Sequence, residues 1–199
     1  MALAALLPKD EYRILGLEIR AKVTEYVRLR IAALRKESNN EQYTNCSVMR
    51  SNTMKFMPNL FHKSSLEKVF FCFPDPHFKR KNHPRRIISE RLLSEYAYFL
   101  KPMVGRLYCI TDVEDLHNWH MEKCRAHPLF RELSKEEMEK DACVDAMKCE
   151  TEEGKKVMRA EAQMFYAVFE RVKNDDADVG NNVEFWDHGQ FGVVLTEDN

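Results

Sequence analysis

The sequence lacks a long apolar run, a surplus of one charge and a close cysteine pair. These features are typical of membrane-spanning proteins, of strongly basic nucleic-acid binders and of proteins with a CxxC motif, respectively. No apolar stretch approaches the roughly 20 residues that span a bilayer, so no membrane-spanning helix is predicted. The apolar start, residues 1–7, has no basic flank and is too short for a signal peptide. It is typical of the last turns of a helix that Pro8 stops.

The balance of charges excludes a globally basic nucleic-acid binder. Charged residues make up 32% of the chain, yet the formal net charge is −1, so any contact with a nucleic acid has to come from a local patch. The length of 199 residues and the hydrophobic share of 44% fit one ordinary domain with a single core.

Six cysteines occur without a CxxC pair, and Cys72 and Cys109 lie inside apolar runs. This pattern predicts reduced thiols in an intracellular protein. His117 and His120 are three residues apart on a predicted helix, but no third ligand accompanies them. No metal site is therefore predicted.

Apolar runs typical of buried strands alternate with amphipathic segments of helical periodicity. Strands are predicted over residues 12–19, 46–49, 68–73, 106–111, 142–147 and 165–172, and helices over 20–36, 89–100, 115–124, 134–140 and 151–159. The alternation predicts an α/β fold, a sheet with helices on both faces. Ligands of such sheets bind where the strands end. The polar residues at predicted strand ends are Glu18, Asn52, Asp75 and Asp112.

The segment after Asn174 is acidic and rich in asparagine, which predicts a disordered tail over residues 174–199 behind a domain of residues 1–173. Apolar residues at 185–186 and 191–195 are the exception. They could pack back onto the domain or onto a partner.

Three features are candidates for chemistry, and each has a plainer alternative. Glu18 either accepts hydrogen bonds from ribose hydroxyls or is a solvated acid at a strand end. Asp75, between two prolines, is either a carboxylate pre-oriented at a site or the exposed residue of a tight turn. The basic run 79–86 contains no acid and follows at once. It is either a solvated face or, as its nearness to Asp75 favours, a phosphate-binding segment.

The segment 74–86, PDPHFKRKNHPRR, resembles the signature of the eukaryotic tRNA (guanine-N7)-methyltransferases. Other segments resemble the family in the family's order, among them ILGLEIR, RSNTMKFMPNLF, LYCITDVEDLHNW and TEEGKKV. The resemblance extends over about residues 12–172. It implies the class I S-adenosylmethionine-dependent methyltransferase fold, a Rossmann-like doubly wound sheet.

The resemblance also implies roles for individual residues. Asp75 matches the active-site acid. The positions that match the surroundings of S-adenosylmethionine, with the last three also near the guanosine, are Glu18, Ile19, Arg20, Asn52, Thr53, Cys72, Thr151, Glu152 and Glu153. The positions expected to contact tRNA are Lys79, Arg80, Lys81, His83, Arg85, Arg86 and Asp112.

The implied reaction is methylation of guanosine at N7 in the variable loop of tRNA. The target nitrogen carries a free lone pair, so no base is needed to create the nucleophile. The enzyme has to align that nitrogen with the methyl group of the donor. A carboxylate can accept hydrogen bonds from the N–H edge of guanine, so Asp75 is assigned an orienting role. No metal is expected.

The sequence departs from the family at its start, because the first strand and the glycine loop are not found in it. That strand is central in the family's sheet, so a gap with unpaired backbone groups is expected, at about 1–3 kcal/mol per buried group. A truncated gene model, a splice variant or a fragment is expected. The alternative to an enzyme is an inactive form that only binds RNA or a partner, or a fragment that does not fold alone.

The family implies a heterodimer with a WD-repeat β-propeller subunit and a location in the nucleus. The small net charge gives the partner some independent support, because a second basic surface would help to attract a polyanion. Apolar residues near the end of the domain, Phe165, Tyr166 and Phe169, could be uncovered. The alternative is that they belong to the core.

Overall fold

The computed structural model describes residues 1–173 and 190–196. Its strands are β1 (Tyr12–Glu18), β2 (Cys46–Arg50), β3 (Leu66–Cys72), β4 (Arg106–Thr111), β5 (Phe130–Glu132), β6 (Phe165–Arg171) and β7 (Gln190–Thr196). Its α-helices are α1 (Ala2–Leu6), α2 (Ala21–Glu37), α3 (Thr53–Phe56), α4 (Glu90–Phe99), α5 (Glu114–Ala126), α6 (Lys135–Glu139), α7 (Ala142–Cys149) and α8 (Glu152–Arg159). Short 3-10 helices cover Met57–Asn59 and Arg80–Arg85.

The strands form one sheet in the order β2-β1-β7-β3-β4-β6-β5. Strands β2, β1, β7, β3 and β4 are parallel, and β6 pairs antiparallel with both β4 and β5. Alternate residues of β3 belong to two hydrophobic clusters, Val69 and Phe71 to one and Phe70 and Cys72 to the other. Helices α4 and α5 contribute to the first cluster, and α1, α2, α7 and α8 to the second. The predicted doubly wound α/β sheet is confirmed.

Helix starts follow local side-chain chemistry. Ser89 accepts a hydrogen bond from the Leu92 N–H at the start of α4, and Thr151 accepts one from the Gly154 N–H at the start of α8. Both residues begin helices predicted from the sequence, over residues 89–100 and 151–159, and a hydroxyl satisfies one of the unpaired N–H groups of a first turn. None of the helices within the described residues is long and apolar enough to cross a membrane.

The strand predicted over residues 142–147 is wrong, because this segment is helix α7. Its N-cap is Asp141, whose carboxylate accepts a hydrogen bond from the Cys143 N–H at 3.0 Å. The buried residues Cys143, Val144 and Met147 recur at helical spacing. The short β5 was not predicted, because three residues are too few to show an alternation.

The gap expected in the middle of the sheet is absent from the structure, because β7 fills it. Residues Tyr12–Glu18 pair in register with Gln190–Thr196 on one side. On the other side, β7 pairs with β3 from Leu66↔Phe191 to Phe71↔Leu195. The prediction of a disordered tail is therefore wrong for residues 190–196, and the segment 191–195 packs back onto the domain. Residues 185–186 lie outside the described residues.

A buried histidine on α5, His120, is expected to make the stability of the fold depend on pH. His120 is fully buried, and neither ring nitrogen has a hydrogen-bond partner among the described residues. Burial, with smaller contributions from His117 and Arg86, lowers the pKa of His120 to about 3. The folded protein therefore keeps this ring neutral, whereas the unfolded chain takes up a proton below pH 6.5 or so.

We expect stability to fall with acid in the window set by these two pKa values. Below the unfolded-state pKa of His120, the unfolded chain binds a proton that the folded protein does not. The contribution of neutral, buried His120 to stability is therefore fully present above that pKa and is lost as pH falls towards 3. Between pH 6 and 4.5, wild type should lose about 1.4 kcal/mol per pH unit more than the variant His120→Leu. Urea unfolding at several pH values measures this difference. Equal slopes for both proteins would refute it.

Candidate active site

The residues at the carboxyl ends of β1, β2 and β3 surround one cavity of about 550 Å³. Five of the residues predicted from sequence line it: Ile19, Arg20, Asn52, Asp75 and Arg85. They come from three strand ends and the basic segment. Parallel strands bring these positions to one edge of the sheet although they are far apart in the chain.

Asp75 is held directly beyond β3 by an unusual backbone. Phe73 and His77, on either side of it, have φ values of +52° and +45°, a left-handed conformation that is costly for residues with side chains. The His77 backbone N–H donates to Asp75 Oδ1 at 2.9 Å. The Asp75 side chain is only 12% exposed. It is therefore a pre-oriented carboxylate rather than the exposed acid of a turn.

The second oxygen of this carboxylate is an available acceptor. Asp75 Oδ2 lies 3.2 Å from His77 Nδ1, yet no donor among the described residues makes a hydrogen bond of good geometry to it. A buried oxygen of this kind normally has a partner. The geometry therefore suits a ligand that donates hydrogen bonds.

Glu18 does not line the cavity, but it binds Arg20, which does. The Arg20 backbone N–H donates to Glu18 Oε1 at 2.8 Å, and the guanidinium Nε lies 3.3 Å from the same oxygen. Glu18 is 2% exposed. It is thus neither the solvated acid of the plainer alternative nor directed into the cavity in this structure.

Asn52 contributes a second acceptor to the lining of the cavity. It is the N-cap position of α3, but its side chain makes no capping hydrogen bond. Its Oδ1 atom is buried without a partner among the described residues. Thr53, the first residue of α3, is buried beside it.

Besides Glu18 and Thr53, four more residues predicted to lie near the donor do not line this cavity. Cys72 and Thr151 line a separate cavity of about 60 Å³, together with residues of α1. That volume is close to the share of two water molecules, which is too small for a methyl donor. Burial raises the pKa of the Cys72 thiol to about 12. Glu152 is exposed, and Glu153 forms a 2.6 Å ion pair with Lys156.

The basic segment divides into an exposed part and an inward part. The exposed cations are Lys79, Arg80, Lys81 and Arg85. The ring of His83 is half-buried and packs against Trp119, with 5.4 Å between the ring centroids. Asp112, directly after β4, is exposed and does not line the cavity at Asp75.

Arg86 departs from the prediction that it contacts tRNA. It is 5% exposed, its Nε donates to the Pro76 carbonyl at 2.9 Å, and its guanidinium lies 4.8 Å from the centroid of Trp119. A buried guanidinium with these contacts is not presented to a phosphate. A run of positive charges in a sequence does not reveal which member turns inward.

Five residues that line the cavity were not predicted, and three of them carry titratable side chains: His77, Lys55 and Arg91. His77 was only part of a motif, although its direct position after Asp75-Pro76 was a signal for an aspartate turn. Lys55 and Arg91 line the cavity from helices α3 and α4, and no local pattern distinguished them. Within the part of the chain that is described, no cluster of metal-ligating side chains occurs.

The family model and the curated relatives that match this chain are all described as methyltransferases. The model of the family described as "Putative methyltransferase" matches residues 1–167. A tRNA (guanine-N(7)-)-methyltransferase of Botryotinia fuckeliana is 53% identical over 87% of this chain and 61% of its own length. The enzyme of that name from Schizosaccharomyces pombe is 52% identical over 81% of this chain and 60% of its own length.

Among solved structures, CrArsM, an arsenic (III) S-adenosylmethionine methyltransferase from Chlamydomonas reinhardtii, matches with a TM-score of 0.43 and 12% identity. The match covers 82% of this chain and 56% of that one. The chain spans about 60% of the length of the curated relatives it matches. The match to residues 1–167 shows that the chain belongs to this methyltransferase family, together with relatives named tRNA (guanine-N(7)-)-methyltransferases.

Proposed function

We propose that the cavity at Asp75 is the place where guanosine in the variable loop of tRNA is methylated at N7, with S-adenosylmethionine as the methyl donor. The observation that carries the proposal is the Asp75 carboxylate. One of its oxygens is fixed by the His77 N–H, and the other is buried without a hydrogen-bond partner among the described residues. The names of the relatives supply the substrate class.

The chemistry asks for alignment more than for proton transfer. Guanine presents N–H donors on one edge and the unprotonated N7 on another, and a carboxylate oxygen accepts from the first. Asp75 would thereby fix the plane and the direction of the base. Holding a nucleophile in the right geometry is worth several orders of magnitude in rate. Asp75 therefore orients the base and does not need to remove a proton.

Three other residues of the lining, Ile19, Arg20 and Asn52, fit the adenosine part of the donor. Asn52 Oδ1 is a buried acceptor without a partner among residues 1–173 and 190–196, which suits an exocyclic amino group. Ile19 and Arg20 add an apolar and a cationic side chain to the lining of the same cavity. S-adenosylmethionine supplies an electrophilic methyl group when it is bound. The residues that line the cavity would hold the donor and the guanosine next to each other, and Asp75 Oδ2 would accept hydrogen bonds from the base.

The exposed cations beside the cavity suit the RNA backbone. Lys79, Arg80, Lys81 and Arg85 follow Asp75 within ten residues, so phosphates bound to them would lie near the cavity. The base has to leave its stack to enter a pocket, and such contacts hold the backbone while it does. A net charge of −1 makes this local patch the main attraction for a polyanion.

We also propose a WD-repeat β-propeller partner and a location in the nucleus, both of which rest on the resemblance to the eukaryotic family. Phe169 was one of the apolar residues considered for the interface with a partner. It is fully buried in the core and therefore cannot contact a partner. Tyr98, Met103 and Val104 are more than half exposed and lie together at the end of α4 and in the following turn. They offer a small apolar surface away from the cavity.

Calorimetric titration of S-adenosylmethionine into the purified protein tests the proposal. We expect saturable binding with one donor per chain. The variant Asn52→Leu, which loses one hydrogen-bond acceptor, should bind about tenfold more weakly. Asn118→Leu, a matched change at an exposed position of α5, should bind as wild type does. A folded protein that takes up no donor would overturn the enzyme proposal in favour of a module that only binds RNA or a partner.

A further inference from the structure

Trp119 on α5 packs against two residues of the basic segment, His83 and Arg86. Its indole Nε1–H donates to the Ile88 carbonyl at 2.7 Å, which sets the plane of the ring. The Arg86 guanidinium and the Lys123 ammonium both lie 4.8 Å from the ring centroid. Contacts of a cation with an indole face stabilise the cation, most strongly when it is shielded from water. The ring therefore determines where the Arg86 side chain lies.

Arg86 uses this support to hold the backbone next to Asp75. Its Nε–H donates at 2.9 Å to the carbonyl of Pro76, ten residues earlier in the chain. With the residue 5% exposed, this hydrogen bond is shielded from water. Hydrogen bonds that involve a charged group are among the stronger ones in proteins. Pro76 itself has no backbone N–H, so its carbonyl is the only backbone group through which it can be held.

The peptide that Arg86 holds also carries the group that orients the carboxylate. The Pro76 carbonyl and the His77 N–H belong to the same planar peptide unit. The His77 N–H donates to Asp75 Oδ1 at 2.9 Å, and His77 keeps a φ of +45°, a conformation that needs outside support. A rotation of this peptide would therefore turn the donor away from the carboxylate.

We propose that Arg86 is a positioning residue for Asp75, acting through the Pro76–His77 peptide and supported by Trp119, and that it is not a phosphate ligand. The effect of Arg86 on catalysis rests on the proposed function of the cavity. The geometric part, from Trp119 to the carboxylate, depends only on the contacts of the described residues. Two kinds of measurement can therefore test the two parts separately.

Two substitutions at position 86 distinguish positioning from phosphate binding. Arg86→Met keeps most of the apolar stem but loses the donor and the charge. Arg86→Gln also loses the charge, but its amide nitrogen occupies the place of Nε and can still donate to the Pro76 carbonyl. Positioning predicts that Arg86→Met lowers kcat about 10- to 100-fold with KM for tRNA nearly unchanged, and that Arg86→Gln recovers most of kcat. A phosphate ligand would make both variants equally weak in binding.

Arg85→Gln provides the contrast, because Arg85 is exposed and lines the cavity. It should raise KM for tRNA and reduce the slope of log affinity against log salt by about one. Neither variant at position 86 should change this slope. A slope that falls equally for Arg86→Gln and Arg85→Gln would overturn the inference.

Hydrogen exchange of the His77 amide tests the geometric part without any need for activity. Arg86→Met should speed this exchange at least tenfold or so, while the Phe71 amide in β3 keeps the wild-type rate, and Arg86→Gln should leave both unchanged. If Arg86→Met does not fold, Trp119→Phe replaces it, with the same direction expected. An unchanged His77 rate in a folded variant overturns the inference. A wild-type protein without methylation would instead overturn the proposed function, and the exchange data would still decide the role of Arg86.

Discussion

Replacing Asp75 by alanine is expected to abolish methylation, with kcat falling at least about 100-fold, while the affinity for S-adenosylmethionine stays within a few-fold. The carboxylate oxygen Oδ2 is a buried acceptor just beyond β3, and the acceptor assigned to the donor belongs to a different lining residue, Asn52. Losing the group that orients the base removes alignment, whose loss alone can cost two orders of magnitude in rate. Steady-state kinetics with tRNA, together with calorimetry for the donor, measure both quantities.

The variant Asp75→Asn sharpens this test because it keeps the size of the side chain. Its amide oxygen can still accept from the His77 N–H, so the turn around His77 is retained. Its amide nitrogen then replaces Oδ2 and presents donors where guanine also presents donors. We therefore expect a loss similar to that of alanine. Asp10→Asn, an exposed aspartate in a turn, serves as the control. Near-normal turnover of Asp75→Asn would show that the carboxylate does not orient the base.

Replacing Val193 by proline is expected to cause the largest loss of stability. Val193 pairs with Leu15 of β1 and with Val69 of β3, so β7 lies between two strands. Proline in a central strand removes an N–H donor and leaves a buried acceptor unpaired. We expect the free energy of unfolding to fall by on the order of 3 kcal/mol, a large part of the usual total for a domain.

Urea unfolding and hydrogen exchange of the β1 and β3 amides measure the effect of this proline. Loss of protection should be greatest at Leu15 and Val69 and their neighbours on both strands. Asp198→Pro, two residues beyond the end of β7, is the matched control. If the two proline variants unfold at the same urea concentration as wild type, β7 does not hold the sheet together.

Many strands and helices could be predicted from the sequence because the patterns that indicate them are local. The apolar run before Asp75 and the hydroxyl caps at Ser89 and Thr151 each depend on a few neighbouring residues. The parallel arrangement then brings Asn52 and Asp75 to one edge by geometry alone. This is why Asn52 and Asp75 could be predicted from the sequence alone to lie in one site.

The remaining features depend on contacts between distant segments, which local patterns do not encode. The pairing of β7 with β1 joins residues more than 170 positions apart, and the apolar pattern of residues 191–195 indicates burial but not a partner strand. The inward turn of Arg86 depends on Trp119, 33 positions away. Helix α7 was mistaken for a strand because a short apolar segment fits both periods.

The most direct test is to analyse the nucleosides of tRNA after incubation with this protein and S-adenosylmethionine. An unmodified transcript is digested, and 7-methylguanosine is measured by mass spectrometry, with Asp75→Asn in parallel. We predict 7-methylguanosine from the variable loop with wild type and at least about 100-fold less with the variant. Wild-type protein that binds the donor but yields no 7-methylguanosine, or a variant that yields as much as wild type, would contradict this prediction.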